Sequence, residues 1–415
     1  MKINVIDLFA GCGGLTDGFL QTGKFKTLAA VDWEQPMVKT LRNRLGSRWG
    51  YKSAEHTVLH FDIQRSDELL YGYDDPIFGT SKGLISLSGQ SPVNMIVGGP
   101  PCQAYSIAGR VQDKNGMKDD YRNFLFESYA KMVNHFQPHS FVFENVEGIL
   151  SAAPGGIPIT SRIRKAFQEI GYEITSDLRR DAVFDTSYYN VPQKRKRVII
   201  YGVKTGEAAP DEIKTFYRMM RQRESAEPAV AGTAFENLPA IFPLKEKEKG
   251  KSHSVYVNGT PVPPNHIPRV HSERDIKVFN TLAEDIENGT YKYCSTAALI
   301  NLYEEATGKK SNFHKYHVIR KDKPGNTIPA HLYKDGLRHI HPDPKQARSI
   351  TVREAARIQS FDDDFEFLGS QGFQYKMIGN AVPPLFARAI AETAHFLFER
   401  SSKKVSEETA EFQVV

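Results

Sequence analysis

Cys102 stands in the stretch "GGPPCQAYSIAGR" (98–110), behind two prolines and ahead of a polar run that ends in Arg110. A thiol so placed is suited to act as a nucleophile, because the prolines stiffen the backbone before it and the chain beyond it is free to move over a substrate. A buried, inert cysteine is the usual fate of a lone thiol, but a Pro-Pro-Cys-Gln loop is a poor core segment. The preceding run "VNMIVGG" (93–99) reads as a strand that stops at two glycines. In open α/β sheets, reactive groups gather beyond the carboxyl ends of such strands. A second strand, "SFVFENV" (140–146), brings Glu144 and Asn145 to the same rim after Phe141, Val142 and Phe143. A carboxyl group against apolar walls tends to keep its proton, as a general acid needs, while a loop-capping glutamate is the plainer reading. The segment "NVPQKRKRVIIYGV" (190–203) then supplies Arg195 and Arg197 at the entry to another strand. Such a basic knot is normally a solvated face or a phosphate contact. Near Cys102 and Glu144 its guanidinium forks can instead hold an anionic substrate or orient the glutamate.

A second set of residues suits a nucleotide. "VIDLFAGCGG" (5–14) runs an apolar strand into a glycine-dense turn, which lets the backbone approach a ligand closely and adopt positive φ at little cost. The spacing Gly11-x-Gly13-Gly14 puts Thr16 where a dinucleotide fingerprint has its third glycine, which disfavours a nicotinamide cofactor. Asp32 in "AAVDWE" (29–34) ends the next strand, where an acid accepts from ribose hydroxyls, and Trp33 beside it can stack on an adenine or simply pack as core. Asp62 in "HFDI" (60–63) closes a third strand in the same way or caps a loop.

To position these groups, the chain as far as about residue 203 alternates strand-length apolar runs with helical segments. "INVIDLF", "TLAAVDW", "VNMIVGG", "SFVFENV" and "RVIIYGV" are the strands, and "NFLFESYAKMVNHF" (123–136) and "TSRIRKAFQEIG" (160–171) are helices. Short buried strands separated by helices define an α/β fold with a mainly parallel sheet. After Lys204 the pattern decays into a polar stretch that includes "PLKEKEKGKSHSVYVNGTPVPPNHIPRVHSERD" (243–275). Order returns at "SITVREAARIQSF" (349–361), where Thr351 and Glu354 have the spacing of a capping box opening a helix, a surface helix on that evidence alone. The final element, "GNAVPPLFARAIAETAHFLF" (379–398), carries Phe386, Ile390, Ala394 and Leu397 on one face, a stripe that must pack on something. The tail after it reads as frayed and solvated.

Composition bounds the rest. At 415 residues the chain is expected to hold two or three domains of about 100–200 residues each. Hydrophobic residues at 40% and charged residues at 25% suit a soluble globular protein, and no apolar run approaches the roughly 18 residues of a membrane span. The N-terminus reads as a strand rather than a signal peptide, so a cytoplasmic protein is expected. Cys12, Cys102 and Cys294 make neither a disulfide framework nor a zinc-type pair, and no metal is expected. A net charge of +5 permits a polyanionic partner only through local clusters of Lys and Arg.

Taken in order, "DLFAGCGGL", "GGPPCQAYS", "ENV", "QKRKR", "SITVREAARIQSF" and "GNAVPP" resemble the ordered blocks of the DNA (cytosine-5)-methyltransferase family, of the bacterial restriction-modification type. The resemblance implies a Rossmann-like fold and S-adenosylmethionine held by Phe9, Gly11, Gly13, Asp32, Trp33, Asp62 and Asn380, with Pro100 and Leu125 lining the pocket. It makes Cys102 the nucleophile, Glu144 the acid, and Arg195 and Arg197 its supports. The polar run 103–122 then closes over double-stranded DNA once a cytosine has flipped out of the stack. The family returns the C-terminal helix beside the first strand, so the catalytic domain is expected to be discontinuous, 1–203 plus 375–415, with a smaller, irregular target-recognition domain and hinge over 204–374. One departure is Asp362 in "SFDDDF", where many members have proline. The implied setting is the cytoplasm of a bacterial or archaeal cell. There the enzyme acts as a monomer on DNA, away from membranes, with a cognate restriction endonuclease acting separately. Rival readings are a tRNA cytosine-5 methyltransferase, whose Cys-Phe-Thr signature does not occur around Cys294, a catalytically idle DNA-binding regulator, and a nicotinamide oxidoreductase, which leaves Pro-Pro-Cys-Gln unexplained.

Overall fold

The computed structural model describes residues 2–101, 125–243, 255–257, 262–310, 316–334 and 336–412. Cys102 and the polar run 103–122 lie outside the described residues. The chain divides into two compact units: unit 1 is Met1–Tyr189, Lys196–Ala226 and Ala381–Val415, and unit 2 is Asn190–Arg195 and Glu227–Asn380.

Unit 1 contains the strands β1 (Ile3–Leu8), β2 (Phe25–Asp32), β3 (Val58–His60), β4 (Tyr73–Asp75), β5 (Gly79–Ser81), β6 (Met95–Gly98), β7 (Ser140–Val146), β8 (Tyr172–Ile174), β9 (Val183–Asp185) and β10 (Lys196–Lys204). The main sheet has the order β3-β2-β1-β6-β7-β10-β8, with β9 alongside β10 and β4–β5 forming a separate hairpin. The neighbours from β3 to β7 are parallel, and β10 runs antiparallel to β7, β8 and β9. From β1 the chain steps outward to β2 and β3, then returns to place β6 and β7 on the other side. The strand order therefore reverses between β1 and β6, where ligands of open α/β sheets bind beyond the carboxyl ends. All five apolar runs read from the sequence form sheet strands. Strands β3, β8 and β9 span three residues each, too short to print a period on the sequence.

The helix Gly14–Gln21 follows β1 and packs on the C-terminal helix Pro384–Phe412. Gly14 lies against the Val382 carbonyl and Gly18 against Pro384 and Ala387, approaches that leave no room for a Cβ. Phe386, Ile390, Ala394 and Leu397 are at most 1% exposed, so the apolar stripe is fully covered. Burial of a side chain such as Phe386 is worth about 1.5–3 kcal/mol. Its ring meets Tyr189 at 4.9 Å. Asp17 ties the first helix to the next, accepting from Arg44 Nε at 2.6 Å and Trp49 Nε1 at 2.8 Å.

The helix Ala209–Gln222, placed by the sequence pattern in the second region, belongs to unit 1. Phe216 stacks flat on Tyr201 of β10 at 4.1 Å, and the Tyr217 hydroxyl donates to the Ile199 carbonyl. The first compact unit thus runs on to Ala226 and resumes at Ala381. Residues 190–195 make a short excursion into unit 2.

Unit 2 packs the helix Glu273–Glu287 through Val278, Phe279 and Leu282 against Tyr316, Val318 and Ile340. Its helix Val352–Ile358 opens with the expected capping box of Thr351 and Glu354. It is a core helix rather than a surface one. Arg348 pairs with Glu354 at 2.7 Å with both side chains buried, and the Arg353 fork donates to the carbonyls of Pro264, Asp362 and Phe365. Asp362 thus serves this cage through its backbone carbonyl. Among the described residues, no helix is long and apolar enough to cross a membrane.

Candidate active site

The turn after β1 is strained and crowded. Phe9 adopts φ 60°, a left-handed conformation that costs a non-glycine residue about 1–3 kcal/mol and collects at functional sites. Gly11 and Gly13 follow with φ 57° and 99°, and a Cβ on Gly13 would strike Leu41. The Gly11 N–H donates to Asp32 Oδ2 and the Glu34 N–H to Asp32 Oδ1, both at 2.8 Å. Two amides therefore fix the acid at the end of β2 against the glycine turn. Thr16, at the place of a third fingerprint glycine, donates its hydroxyl to Asp7 Oδ2 at 2.5 Å. Burial pushes the Asp7 carboxyl up to about 7. One strand over, Asp62 accepts from the Gln64 N–H, and the Trp33 indole is 60% exposed.

Across the switch point, Leu8, Gly98 and Phe143 stand in register on β1, β6 and β7. A Cβ on Gly98 would strike the Leu8 carbonyl, and one on Gly99 would come within 2.5 Å of Glu144 Oε2. The glycine pair thus lets the Pro-Pro turn close in on Glu144. Asn145 Nδ2 donates to the Pro100 carbonyl at 3.2 Å, so the backbone two residues before Cys102 is fastened to β7. Pro100 is buried, and Leu125, which opens the helix Leu125–Phe136, is buried as well.

Glu144 Oε1 pairs with Arg197 Nε at 2.8 Å, each side chain about 11% exposed. In the antiparallel β7–β10 pair Arg197 stands opposite Val146, making Glu144 its diagonal neighbour on the same face, within reach of a long side chain. The apolar walls expected around this carboxyl line its strand, but the group itself faces a guanidinium.

The two arginines of the basic knot part company. Arg195 lies in unit 2, 2% exposed, and donates to the carbonyls of Ile328 and Gly379. Gln193, fully buried, accepts from the Ile328 N–H and donates to Gln359 Oε1. Gln193 and Arg195 therefore brace unit 2, and Arg197 engages Glu144. The two arginines differ in placement because the chain crosses between units at residue 195 and β10 begins only at Lys196. Asn380 is the exposed last residue of unit 2. Sequence reasoning also passed over Gly99 and Gln193, although the glycine doublet and the first letter of "QKRKR" stood in the blocks it used. Cys12 is buried and its thiol is pushed far up by that burial, which makes it inert, and Cys294 is exposed. Among the described residues, no group of His, Cys, Asp and Glu is arranged to hold a metal ion.

The carboxyl ends of the strands thus carry a fixed acid and an exposed indole on the β1–β2 side and a charge-paired acid on the β6–β7 side, a division that suits a cofactor-dependent group transferase. Comparison with known proteins narrows that class. The chain belongs to the C-5 cytosine-specific DNA methylase family, whose model matches residues 3–395. The type II methyltransferase M.Bpa9945I of Bacillus paralicheniformis is 33% identical over 93% of this chain and 97% of its own length. M.AgeI of Thalassovita gelatinovora is 29% identical over 94% and 99%. Among solved structures, an E. coli prophage chain described as a DNA modification methyltransferase superposes with a TM-score of 0.60 at 21% identity, covering 96% of this chain and 100% of that one. The S. pombe Dnmt2 methyltransferase does so with 0.52 at 14%, covering 96% and 99%. The enzyme is a DNA cytosine-5-methyltransferase that takes its methyl group from S-adenosylmethionine, and the RNA-directed alternative is not favoured. The residues fit that donor, with a positive-φ glycine turn that has no room for a Cβ at Gly13, an acid fixed by two amides and an open indole.

Proposed function

We propose that the chain is the sequence-specific methyltransferase of a restriction-modification system, working as a monomer on double-stranded DNA in the cytoplasm, with a separate cognate endonuclease. The relatives' description as type II methyltransferases supports this setting. Unit 1 is read as the catalytic unit and unit 2 as the target-recognition unit. Supporting the latter, Arg269 holds a loop of unit 2 by the Tyr333 carbonyl, and that loop carries Tyr333 and Lys334 exposed beside Phe373 and Lys376, a mixture of aromatic and basic groups suited to DNA.

Carbon 5 of cytosine is a weak nucleophile inside a stacked duplex, so the base must first leave the stack at a cost of a few kcal/mol. Cys102, as thiolate, adds to carbon 6 of the flipped base. A free cysteine of pKa about 8.5 is mostly protonated at neutral pH, so nearby positive charge has to favour the thiolate. Glu144 manages the proton at N3, with Arg197 holding its Oε1. Electron density then reaches carbon 5. S-adenosylmethionine, held by Phe9, Gly11, Gly13, Asp32, Trp33, Asp62 and Asn380 with Pro100 and Leu125, supplies a methyl group on a cationic sulfur. Loss of the carbon-5 proton and departure of the Cys102 thiolate restore the aromatic ring and the enzyme.

The observation that carries this reading is the Glu144–Arg197 pair beside a Pro-Pro turn tied to the same strand two residues before Cys102. Duplex containing 5-fluorocytosine, supplied with the methyl donor, is expected to become covalently trapped on the enzyme but not on Cys102→Ala. Trapping by Cys102→Ala, or none by the parent enzyme, defeats the mechanism. Bisulfite sequencing of DNA from expressing cells should return one consensus with modified cytosines.

A further inference from the structure

Trp33 stays 60% exposed although it directly follows a fixed acid at the end of a buried strand. One ring leans against it. Phe78, in the turn between β4 and β5, lies 5.8 Å from the indole at 58°. It also meets His60 edge-on at 4.9 Å and Phe61 at 5.2 Å. His60 bonds in turn through Nε2 to the Trp33 carbonyl at 2.9 Å. Phe78 therefore touches the residues that end β2 and β3 on the same rim as Asp32 and Asp62.

The hairpin is built to keep that ring in place. Asp75 Oδ1 accepts the N–H groups of Ile77 and Phe78 at 2.8 and 3.0 Å, which sets the turn. Arg65 donates to Asp75 Oδ2 at 2.7 Å and to Glu68, and its guanidinium covers Phe61 at 4.8 Å and Phe78 at 5.8 Å. Phe61 is buried and stacks on Tyr73 of β4 at 3.9 Å. The hairpin is thus anchored at its base by an aromatic stack and at its tip by an ion pair.

We infer that Phe78 is a positioning residue for the methyl donor: the β4–β5 hairpin holds the Trp33 indole in the orientation that stacks on the adenine ring. This rests on the proposed cofactor contacts of Asp32 and Trp33. An exposed indole left to itself samples several rotamers, and fixing it on binding costs affinity, whereas a ring already braced has less freedom to lose. Phe78 acts through Trp33, so its effect is confined to affinity for adenosine-containing ligands and should vanish when Trp33 is absent.

The test is calorimetric titration of the full chain with S-adenosylmethionine and S-adenosylhomocysteine. Phe78→Ala and Phe78→Leu are expected to weaken both ligands by about three- to tenfold, and Phe78→Tyr to restore them. The Leu variant keeps apolar bulk in the hairpin should the Ala variant loosen it. In a Trp49→Phe background Trp33 is the sole tryptophan, so its emission anisotropy should fall when Phe78 is replaced. The KM for DNA should not move, and Phe78→Ala should add nothing to Trp33→Ala. Unchanged affinity in both Phe78→Ala and Phe78→Leu, or a loss additive with Trp33→Ala, overturns the inference and leaves the catalytic proposal intact. Unchanged affinity in Trp33→Ala overturns the adenine contact and the inference with it.

Discussion

Arg195 and Arg197 carry the same side chain two positions apart, yet their partners differ in kind. Arg197 faces a carboxylate, and Arg195 faces backbone carbonyls. Replacing each by lysine keeps the charge and removes the fork, which separates their roles. Arg197→Lys is expected to lower kcat at least tenfold with a small change in melting temperature, because Glu144 loses the bond that orients it. Arg195→Lys should instead destabilise unit 2 by about 1–3 kcal/mol, the cost of stranding buried acceptors. Single-turnover methylation and calorimetric melting of the two variants check this, and equal kcat losses without destabilisation of Arg195→Lys would contradict it. At this scale the places of Glu144 and the glycine turn at the ends of their strands were legible because each breaks its local pattern: an acid after apolar residues, glycines after a strand. The division of the arginines was not legible. The carbonyls that Arg195 meets lie at Ile328 and Gly379, and no local pattern records them.

The elements show where periodicity informs and where it stops. The apolar stripe of the C-terminal helix announced that a partner existed, and the structure supplies it as the helix Gly14–Gln21, reached through two glycines at one face. Gly14 read in the sequence as part of the ligand turn and Gly18 carried no reading, because the contact that requires them comes from the other end of the chain. Gly18→Ala sets two effects against each other. Helix propensity favours alanine by about 1 kcal/mol, while the added methyl would come within 2.5 Å of Ala387 Cβ and 2.9 Å of the Arg388 amide nitrogen. Overpacking against backbone costs about 1–3 kcal/mol or more, so the clash wins and the variant should unfold at lower denaturant. A Gly18→Ala protein as stable as its parent would mean the two helices are not locked at this face. The hairpin β4–β5 was missed for the opposite reason, since two three-residue strands leave no alternation to read.

For the whole molecule, the alternation of strands and helices was enough to give the α/β class, and the loss of period after Lys204 was enough to suggest a second unit. The helix Ala209–Gln222 escaped because its buried face, Ile213, Phe216, Tyr217 and Met220, sits in a polar context. Each unit also buries groups whose titration acts on its stability. In unit 2, burial lowers the imidazoles of His266, His271, His339 and His341, the last three to about 4, 4 and 3. Both ring nitrogens of His339 are buried, and the backbone of Thr327, which favours the protonated ring, does not offset that burial. A histidine whose folded value is depressed contributes stability that is present above its unfolded value near 6.5 and is lost as pH falls from there toward the folded value. In unit 1, Asp7 has a folded value near 7, so the stability tied to its proton is complete below about pH 4 and is lost as pH rises through 7. Acidification from pH 7.5 to 5 should therefore lower the melting of unit 2, by about 2 kcal/mol for a fully buried histidine, while unit 1 gains. Asp7→Asn should remove the gain in unit 1 and leave the loss in unit 2. Hydrogen exchange of the full chain at the two pH values, read segment by segment, checks both signs. Parallel loss of protection in β1 and in the helix Glu273–Glu287 would show that neither the buried imidazoles nor the Asp7 carboxyl governs the acid response.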